Sequence, residues 1–362
     1  MAFYHGLKSY KNDPNYPGKS AWIAERLLTL RADLHRQIVD ARRPNSLIIG
    51  SWNIRAFDDG MPRLDESYHY LAEIIDKFDI CAIQEVKSDL KPLQRLVSLL
   101  GPQWAYFVSD VSTHKGGNNE RMAFVYDTNK VMFRHLIGEI VLPREQLIAG
   151  EQVARTPFFA AFQAGWFRFA LCSAHIIYGG TGAAERALRA EEIRAITSTL
   201  VDRAQDEDQV YVFLGDMNIE ERDGDIMRAL RGSQMVVPDF PPTNLGGDRY
   251  YDQIAFTDKG KAERKTRLLR HGAFDWRRTV FGPWPGAVPD PLPPGALTDA
   301  EQRAHYQPVN IAQRAAAGKA PYKDWARSYR GWTTYEMSDH LPIWVEIEID
   351  YSNDYLARFL DL

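Results

Sequence analysis

The sequence has few cysteines: Cys81 and Cys172 are the only two among its 362 residues, and neither belongs to a CxxC pair. Each lies in an apolar run typical of a strand, so we expect buried, reduced thiols rather than a disulfide. No cluster of cysteine and histidine has the spacing of zinc ligands. The sequence also lacks a GxxxxGK(S/T) loop and a GxSxG elbow, which excludes a P-loop and a serine-hydrolase elbow.

Long hydrophobic runs and a large excess of one charge are lacking as well. No apolar run approaches the length that spans a bilayer, and the polar start of the chain has no apolar core like that of a secretion signal. The content of 45% hydrophobic and 25% charged residues is typical of a soluble globular protein. A formal net charge of −4 gives no global basic field, so only a local basic patch could bind nucleic acid. The sequence therefore predicts a soluble cytoplasmic protein with no membrane partner.

Residues 1–44 are predicted to form an N-terminal arm and an amphipathic helix. The arm, residues 1–19, is polar and contains proline and glycine. Ser20 is a candidate N-cap for a helix that runs to about Arg43. One face of this helix is apolar, so we expect it to pack on the main domain, with a dimer contact as the alternative. The apolar face consists of Ile23, Leu27, Leu30, Leu34 and Ile38.

Residues 45–350 alternate predicted strands and helices without a long linker, which indicates one α/β domain with a tail at 351–362. Segment 257–335 lies between two strand patterns and holds a basic run and a proline-rich stretch, so we predict an insertion that covers one end of the domain. The predicted strands are 46–54, 79–86, 121–127, 156–162, 166–177, 210–216, 250–256 and the alternating part of 336–350, and the predicted helices are 65–78, 90–101 and 185–204.

The stretch VYVFLGDMNIEER, residues 210–222, is the most informative in the sequence. Its apolar start predicts a buried strand, and Asp216 and Asn218 stand two positions apart at the end of that strand. Residues with this spacing point to the same side of a strand. Together they could hold a phosphate, a metal or an attacking water. The alternative is a strand followed by a capped turn, because Asp and Asn favour such turns.

Acids, amides and imidazoles recur at the ends of other predicted strands. Each of them alone is typical of a turn residue or a hydrogen-bonded core histidine, but the repetition indicates a common site. Carboxylate and amide oxygens suit a hard cation such as Mg²⁺, and imidazole transfers protons near neutral pH. The set predicts metal-assisted hydrolysis of a phosphate ester with water as the nucleophile. Its further members are Asn53, Glu85, Glu120, His175, Asp252, Asp339 and His340.

Seven motifs in this order resemble the endonuclease/exonuclease/phosphatase superfamily, and within it deoxyribonuclease I-type enzymes. The resemblance covers residues 46–256 and 336–350. It implies a four-layer α/β/β/α sandwich of two mixed β-sheets flanked by helices, with the site at the edge where the strand ends gather. The motifs are SWNI, IQEV, NERMAFVY, SAHIIYGG, LGDMNI, YYDQIAF and SDHLPIW.

The resemblance also implies a metal site and a general base. Glu85, with Asn53 and Asp339 nearby, matches the residues that bind Mg²⁺ or Mn²⁺ in the superfamily. His340 matches the general base that activates the attacking water, and Asp252 matches the carboxylate that orients this base.

Further roles follow from the same resemblance. Asp216 and Asn218 would position the water and the scissile phosphate. His175 would bind the phosphate or protonate the leaving oxygen, and Glu120 would orient it. Arg155 matches an arginine that contacts a substrate phosphate in deoxyribonuclease I-type enzymes.

Local sequence bears on the substrate less directly. Lys87 falls where those enzymes carry a groove-reading arginine, and it keeps the charge without the planar fork. Asn118 replaces a DNA-stacking tyrosine, which weakens the case for duplex DNA. The basic run 259–278, which contains Trp276, could track a nucleic-acid backbone, or it could form a solvated helix or hairpin.

These observations predict a metal-dependent nuclease or related phosphodiesterase that cleaves DNA or RNA. The alternative within enzymes is a phosphomonoesterase or phosphodiesterase that acts on a phosphorylated lipid or small metabolite, because fold and catalytic set do not choose among these substrates. The alternative from another class is a non-catalytic binding module that has kept the fold. Such a module could lose His340 or Glu85 without penalty, whereas both are present.

Overall fold

The structure, a computed structural model, describes residues 2–14, 16–57, 62–112, 119–258, 266–282 and 292–360. Its strands are β1 (Ser46–Phe57), β2 (Ile80–Lys87), β3 (Trp104–Val108), β4 (Glu120–Asp127), β5 (Met132–Glu139), β6 (Phe158–Ala164), β7 (Phe167–His175), β8 (Val210–Asp216), β9 (Met235–Val236), β10 (Asp252–Thr257), β11 (Leu268–Ala273) and β12 (Ile343–Glu348). Its α-helices are α1 (Lys19–Leu34), α2 (Asp65–Ile75), α3 (Lys91–Leu100), α4 (Ala183–Asp206), α5 (Asp225–Arg231), α6 (Asp299–Ala316), α7 (Trp325–Glu336) and α8 (Ser352–Ala357).

The strands form two six-stranded sheets, ordered β11-β12-β1-β2-β4-β3 and β5-β6-β7-β8-β10-β9. Each sheet is mixed. In the first sheet β1 pairs in parallel with β2 and antiparallel with β12, and in the second sheet β7 pairs in parallel with β8 and antiparallel with β6. Helices flank both sheets, so the predicted fold class, a sandwich of two mixed sheets with helices outside, is confirmed.

The alternation of side chains between the two faces of the central strands explains how the sheets and helices form layers. On β1, Leu47 and Ile49 pack in the core between the sheets, whereas Ile48 faces the helices outside the first sheet. On β8, Val212 faces the inner core and Phe213 faces α4 and α5. Successive side chains of a strand point to opposite faces, and both faces are covered here, so the strands are almost continuously apolar.

The N-terminal helix begins at Lys19, after Gly18 in a left-handed conformation (φ 77°), and not at a Ser20 cap. The predicted cap is therefore wrong: Ser20 Oγ donates to the Leu7 carbonyl oxygen at 2.6 Å. The α-helical part ends at Leu34 and continues as a π-helical turn, His35–Val39. The apolar face of α1 lies in the same core as α2, α3, α6 and α7.

The described residues of segment 257–335 include β11, α6 and α7. β11 extends the first sheet beside β12, and α6 and α7 pack against α1 and α2. Within the basic run, residues 259–265 lie outside the described part, and Trp276 is fully buried. Arg270 and Arg278 form ion pairs with acids of the protein, Glu346 and Asp33. The described part of this run is therefore structural and does not form a basic track.

Cys81 and Cys172 are both buried and free, as expected. Burial in an apolar environment raises the pKa of both thiols, so they stay protonated and unreactive. Across the described residues, no helix has the length and apolar character needed to cross a membrane.

Candidate active site

The predicted residues gather at one edge of the sandwich, in an open cleft with a volume of about 790 Å³. Asn53 and Asp252 are fully buried beneath its floor. Asn118 lies outside the described residues. The predicted residues that line the cleft are Glu85, Lys87, Glu120, Arg155, His175, Asp216, Asn218, Asp339 and His340.

Asn53 and Glu85 stand on neighbouring strands where regular pairing ends. β1 and β2 pair in parallel up to Asn53 and Gln84, and the register shifts beyond that point. Glu85 and Ala56 have φ values of 60° and 43°, which are costly for residues other than glycine and are concentrated at functional sites. This backbone brings Glu85 against β1, where Oε2 accepts from Ala56 N at 2.7 Å and Oε1 accepts from Asn53 Nδ2 at 3.1 Å.

The end of β8 requires glycine before the acid. At Gly215 (φ 130°) a Cβ would lie 2.0 Å from the Ala174 carbonyl oxygen, so only glycine fits. Asp216 follows, buried, as the last residue of the strand. The Asn218 backbone N–H donates to Asp216 Oδ1 at 2.9 Å, and Asn218 Nδ2 donates to the Ile176 carbonyl oxygen at 2.7 Å. Asn218 thus fixes the turn through these contacts, and it also lines the cleft.

His340 and Asp252 form the first of two imidazole–carboxylate pairs. His340 Nδ1 lies 2.7 Å from Asp252 Oδ2. The backbone N–H of His340 donates to Ser338 Oγ at 3.0 Å, and Ser338 Oγ donates to the Asn53 carbonyl oxygen at 2.6 Å, which ties this turn to β1. Burial lowers the pKa of His340, but the charges of Asp252 and Asp216 raise it more, so the pKa lies well above its ordinary value.

His175 and Glu120 form the second pair. His175 Nδ1 lies 3.1 Å from Glu120 Oε2. Lys87 Nζ donates to Glu120 Oε1 at 3.2 Å, and Arg155 Nη2 lies 3.5 Å from Glu120 Oε2. Burial raises the pKa of Glu120, but the interactions with His175, and then with Arg155 and Lys87, outweigh burial and hold the pKa at about 2. Both predicted substrate-binding cations therefore contact Glu120 at the wall of the cleft.

Asp216 lies between the two pairs. Its Oδ2 accepts from Asn53 Nδ2 at 3.0 Å, and it lies 3.5 Å from His175 Nε2 and 3.7 Å from His340 Nε2. The outer nitrogen of each imidazole is thus directed at the same carboxylate, and the inner nitrogen faces an orienting acid. This arrangement brings two imidazoles close to one carboxylate oxygen, and imidazole is a side chain that can transfer protons near neutral pH.

Among the cleft residues that sequence reasoning did not assign, Arg55, Tyr178 and Tyr335 have the largest polar side chains. Arg55 could have been identified, because it follows Asn53 by two positions on the same strand. Tyr335 could not, since it lies on α7 in the inserted segment, where no strand pattern precedes it. Arg55 Nε lies 3.7 Å from Asp339 Oδ2, so this arginine contacts a predicted metal ligand.

The profile of the Endonuclease/Exonuclease/phosphatase family matches residues 50–352, which is most of the chain. The chain belongs to this family. The predicted superfamily is thereby confirmed, and members of the Endonuclease/Exonuclease/phosphatase family are phosphoesterases, a class that includes nucleases. No curated protein matches the chain in sequence.

Several solved structures resemble the chain in fold at low sequence identity. D. rerio TDP2 complexed with a single-strand DNA product has a TM-score of 0.52 and 13% identity, covering 84% of this chain and 99% of that one. A mannosyl-6-phosphatase from Bacteroides thetaiotaomicron has a TM-score of 0.51 and 14% identity, covering 83% and 99%. The human Nocturnin catalytic domain with bound sulfate has a TM-score of 0.51 and 13% identity, covering 85% and 96%. These similarities demonstrate the fold.

Members of the family depend on divalent metals, and the acidic side of the cleft fits such an ion. Buried Asn53 Oδ1 and Asp339 Oδ1 have no hydrogen-bond partner among the described residues, and Glu85 adds a carboxylate beside Asn53. Carboxylate and amide oxygens are the donors that Mg²⁺ and Mn²⁺ prefer. A second donor set overlaps the first imidazole pair, because ligand atoms of Asp216, Asp252 and His340 lie within 4.8 Å of one another. In this second set, His340 Nδ1 lies at hydrogen-bond distance from Asp252. This contact favours a role of Asp252 in orienting the imidazole as a base over a role of the two residues as metal ligands.

We expect the low pKa of Glu120 to make the free energy of unfolding of the chain decrease at acid pH. Its pKa in the folded chain, about 2, lies below its ordinary value of 4.5, so its contribution is complete above about pH 4.5 and is lost as the pH falls towards 2. We expect the free energy of unfolding to fall by no more than about 3 kcal/mol through this group. Urea unfolding of the wild type and Glu120→Gln across this range would measure the difference in slope.

The control is Glu191→Gln, which changes an exposed glutamate on α4 in the same way. This variant should keep the wild-type slope. Equal slopes for the wild type and Glu120→Gln would contradict the assignment of the low pKa to Glu120.

Proposed function

We propose that this chain is a divalent-metal-dependent phosphodiesterase that cleaves nucleic acid, DNA or RNA, by attack of an activated water. The observation that carries the proposal is the convergence of two imidazole–carboxylate pairs on Asp216, with His175 Nε2 at 3.5 Å and His340 Nε2 at 3.7 Å from one oxygen. Hydrolysis of a phosphodiester needs one group that accepts a proton from water and another that gives a proton to the leaving oxygen. Two supported imidazoles supply both.

His340 is assigned as the general base. Asp252 fixes the imidazole orientation through Nδ1, so that the neutral imidazole presents Nε2 to accept a proton from the attacking water, and Asp252 stabilises the cation that this transfer forms. Asp216 holds that water, since its Oδ2 lies beside the same nitrogen. Asn218 shares the cleft and positions the phosphate together with Asp216.

His175 is assigned as the group that binds the phosphate or protonates the leaving oxygen. Glu120 orients this imidazole through Nδ1, which leaves Nε2 on the side of Asp216 for a phosphate or leaving oxygen. Arg155 and Lys87 lie on the same wall and would contact the phosphate oxygens. The two histidines near Asp216 thus divide the two proton transfers between them.

Glu85, Asn53 and Asp339 would hold the divalent ion. When bound, such an ion neutralises the charge that grows on the phosphate and acts as a Lewis acid on its oxygens. Arg55, which contacts Asp339, lies where it can complete the binding of the substrate beside this ion.

The shape of the cleft supports a polymeric substrate. The cleft is open to solvent along the sheet edge and is lined by the cations Arg55, Lys87 and Arg155. An open groove with cations admits a strand that continues on both sides of the cleaved bond, whereas a small ester is typically enclosed. The similar TDP2 structure holds a single-strand DNA product.

A second candidate is a phosphomonoesterase or phosphodiesterase for a phosphorylated lipid or small metabolite. The observation that favours it is the pairing of Arg270 and Arg278 with acids of the protein. Because these two arginines pair with acids of the protein, they do not extend the cations of the cleft into a longer basic track. The cations of the cleft could then bind a single phosphate group. One structurally similar protein is a mannosyl-6-phosphatase.

The test is hydrolysis of plasmid DNA, single-stranded DNA, RNA and a chromogenic phosphodiester with Mg²⁺ or Mn²⁺, beside a panel of phosphomonoesters assayed for released phosphate. We expect turnover of the nucleic acids that EDTA abolishes. Release of phosphate from the monoester panel alone would select the second candidate. Absence of turnover of every substrate at several pH values would overturn both.

A further inference from the structure

Two exposed aromatic rings line the cleft on different elements. Tyr178 is 36% exposed and lies three residues after His175, and Tyr335 is 45% exposed and lies in the last turn of α7, four residues before Asp339. Single exposed aromatics are common on protein surfaces. Here both belong to a polar cleft that holds the candidate catalytic residues, and a cationic side chain supports each ring.

Arg55 holds Tyr335 in place. Its guanidinium carbon lies 4.0 Å from the centroid of the Tyr335 ring, and its Nη2 donates to the Tyr335 hydroxyl at 3.0 Å. Arg55 Nη1 also donates to Thr334 Oγ1 at 2.5 Å, which fixes the arginine itself. A cation over a ring face is attractive because of the ring quadrupole. The arginine therefore lies over one face of Tyr335 and fixes the position of a ring that stays 45% exposed in the cleft.

Arg189 and Glu220 hold Tyr178 in a corresponding way. The Tyr178 hydroxyl donates to Glu220 Oε1 at 2.8 Å, and the guanidinium carbon of Arg189 lies 4.8 Å from the ring centroid. Arg189 is buried, and its Nη1 donates to the Gly180 carbonyl oxygen at 2.9 Å. The glycine-containing loop after His175 is thus tied down at the position where it presents the tyrosine.

We propose that Tyr178 and Tyr335 stack on the unpaired bases on either side of the scissile phosphate, so that the cleft selects single-stranded over duplex nucleic acid. This inference rests on the proposed function and adds the determinants of substrate selection. Every base has a π-face, so aromatic stacking binds a strand with little regard to sequence, but only where the base is out of a duplex. The restrained rings lose little conformational freedom on binding, which favours affinity.

The test measures the dissociation constants of fluorescein-labelled single strands by anisotropy, with the full-length protein in EDTA so that the strands stay intact. The wild type and each variant are titrated against three ligands: a base-bearing strand, an abasic strand of the same length and charge, and the base-bearing strand in a duplex. The variants are Tyr178→Ala, Tyr335→Ala, their phenylalanine counterparts and Tyr355→Ala. Tyr355 is a matched control, because it is 39% exposed and packs against Trp166, away from the cleft.

We expect the wild type to prefer the base-bearing strand to both the abasic strand and the duplex. Each alanine variant should reduce the preference for bases by about 10-fold, whereas phenylalanine and Tyr355→Ala should preserve it. Equal affinity of the wild type for base-bearing and abasic strands, or a preference that survives Tyr178→Ala and Tyr335→Ala, would overturn the stacking. Binding is measured without turnover, so a chain that stacks bases but hydrolyses nothing would refute the proposed function alone.

Discussion

Replacing His340 with alanine should lower kcat by about 10²–10⁴-fold, the contribution that a general base makes to such a reaction. The imidazole is buried against Asp252, and its Nε2 lies 3.7 Å from Asp216 Oδ2, where an attacking water would be held. Alanine leaves no group there that can accept the proton of that water. Steady-state kinetics on the best substrate, at saturating metal, measures the effect.

Asp216→Ala should have an effect of similar size. Asp216 Oδ2 contacts the side chains of Asn53, His175 and His340, so its removal disturbs the position of the water and both imidazoles together. Because these groups act as one unit, the double variant Asp216→Ala, His340→Ala should lose much less than the product of the two single losses. Additive losses would contradict a shared role.

The control for both is His271→Ala, which removes an exposed imidazole on β11, away from the cleft. Thermal unfolding of each variant separates loss of catalysis from loss of the fold. Near-normal turnover by a folded His340→Ala variant would overturn the assignment of the base.

Replacing Glu85 with glutamine should raise the concentration of Mg²⁺ or Mn²⁺ needed for half-maximal activity by at least about 10–100-fold. Loss of a residue that only supports metal ligands already costs that much in affinity, and a ligand carboxylate contributes its charge as well. Glutamine keeps an oxygen for the Ala56 N–H and the shape of the residue, so the strained turn at φ 60° has the same local partner. The change therefore tests the charge of the ligand more than the fold.

Calorimetric titration of Mn²⁺ without substrate gives a second readout that does not depend on turnover. Glu191→Gln is again the matched control on the exposed face of α4. Asp252→Asn distinguishes the two candidate metal sites, one at Glu85, Asn53 and Asp339 and the other at Asp216, Asp252 and His340. If Asp252 orients the base, this variant should lower turnover with little change in metal affinity. An unchanged titration for Glu85→Gln, beside a weakened one for Asp252→Asn, would place the ion among Asp216, Asp252 and His340.

Local patterns are sufficient for much of the fold and for the expectation that these polar side chains gather at one sheet edge, where the cleft contains most of them. The apolar runs at 46–54 and 210–216 predicted central strands, because residues that alternate between two covered faces must all be apolar. Asp216 and Asn218 were placed together at a strand end because of their spacing alone. The predicted helix at 90–101 corresponds to α3, which ends before Gly101, whose φ is 112°. The predicted Ser20 cap failed because the chain enters α1 through Gly18, whose conformation the composition of the helix does not reveal.

Long-range contacts could not be predicted in the same way. β11, α6 and α7 lack a clear pattern in sequence, yet they join the first sheet and the helical layer that also holds α1. In the described part of the basic run that suggested a nucleic-acid track, arginines pair with acids of the protein, some of them far away in the chain, as Arg278 does with Asp33. Charge along a sequence does not reveal its partners, because an ion pair depends on the tertiary position of both groups.

The sequence by itself determined the family, the order of the strands and helices that carry the motifs, and the chemical types that meet at the sheet edge. These properties follow from local periodicity and from motif order. Only the tertiary structure decided that His340 and His175 both face Asp216, that Glu85 adopts a positive φ, and that α7 brings Tyr335 to the cleft. The physical reason is that each of these contacts joins elements far apart in the chain, and their distances depend on the register and packing of both sheets together.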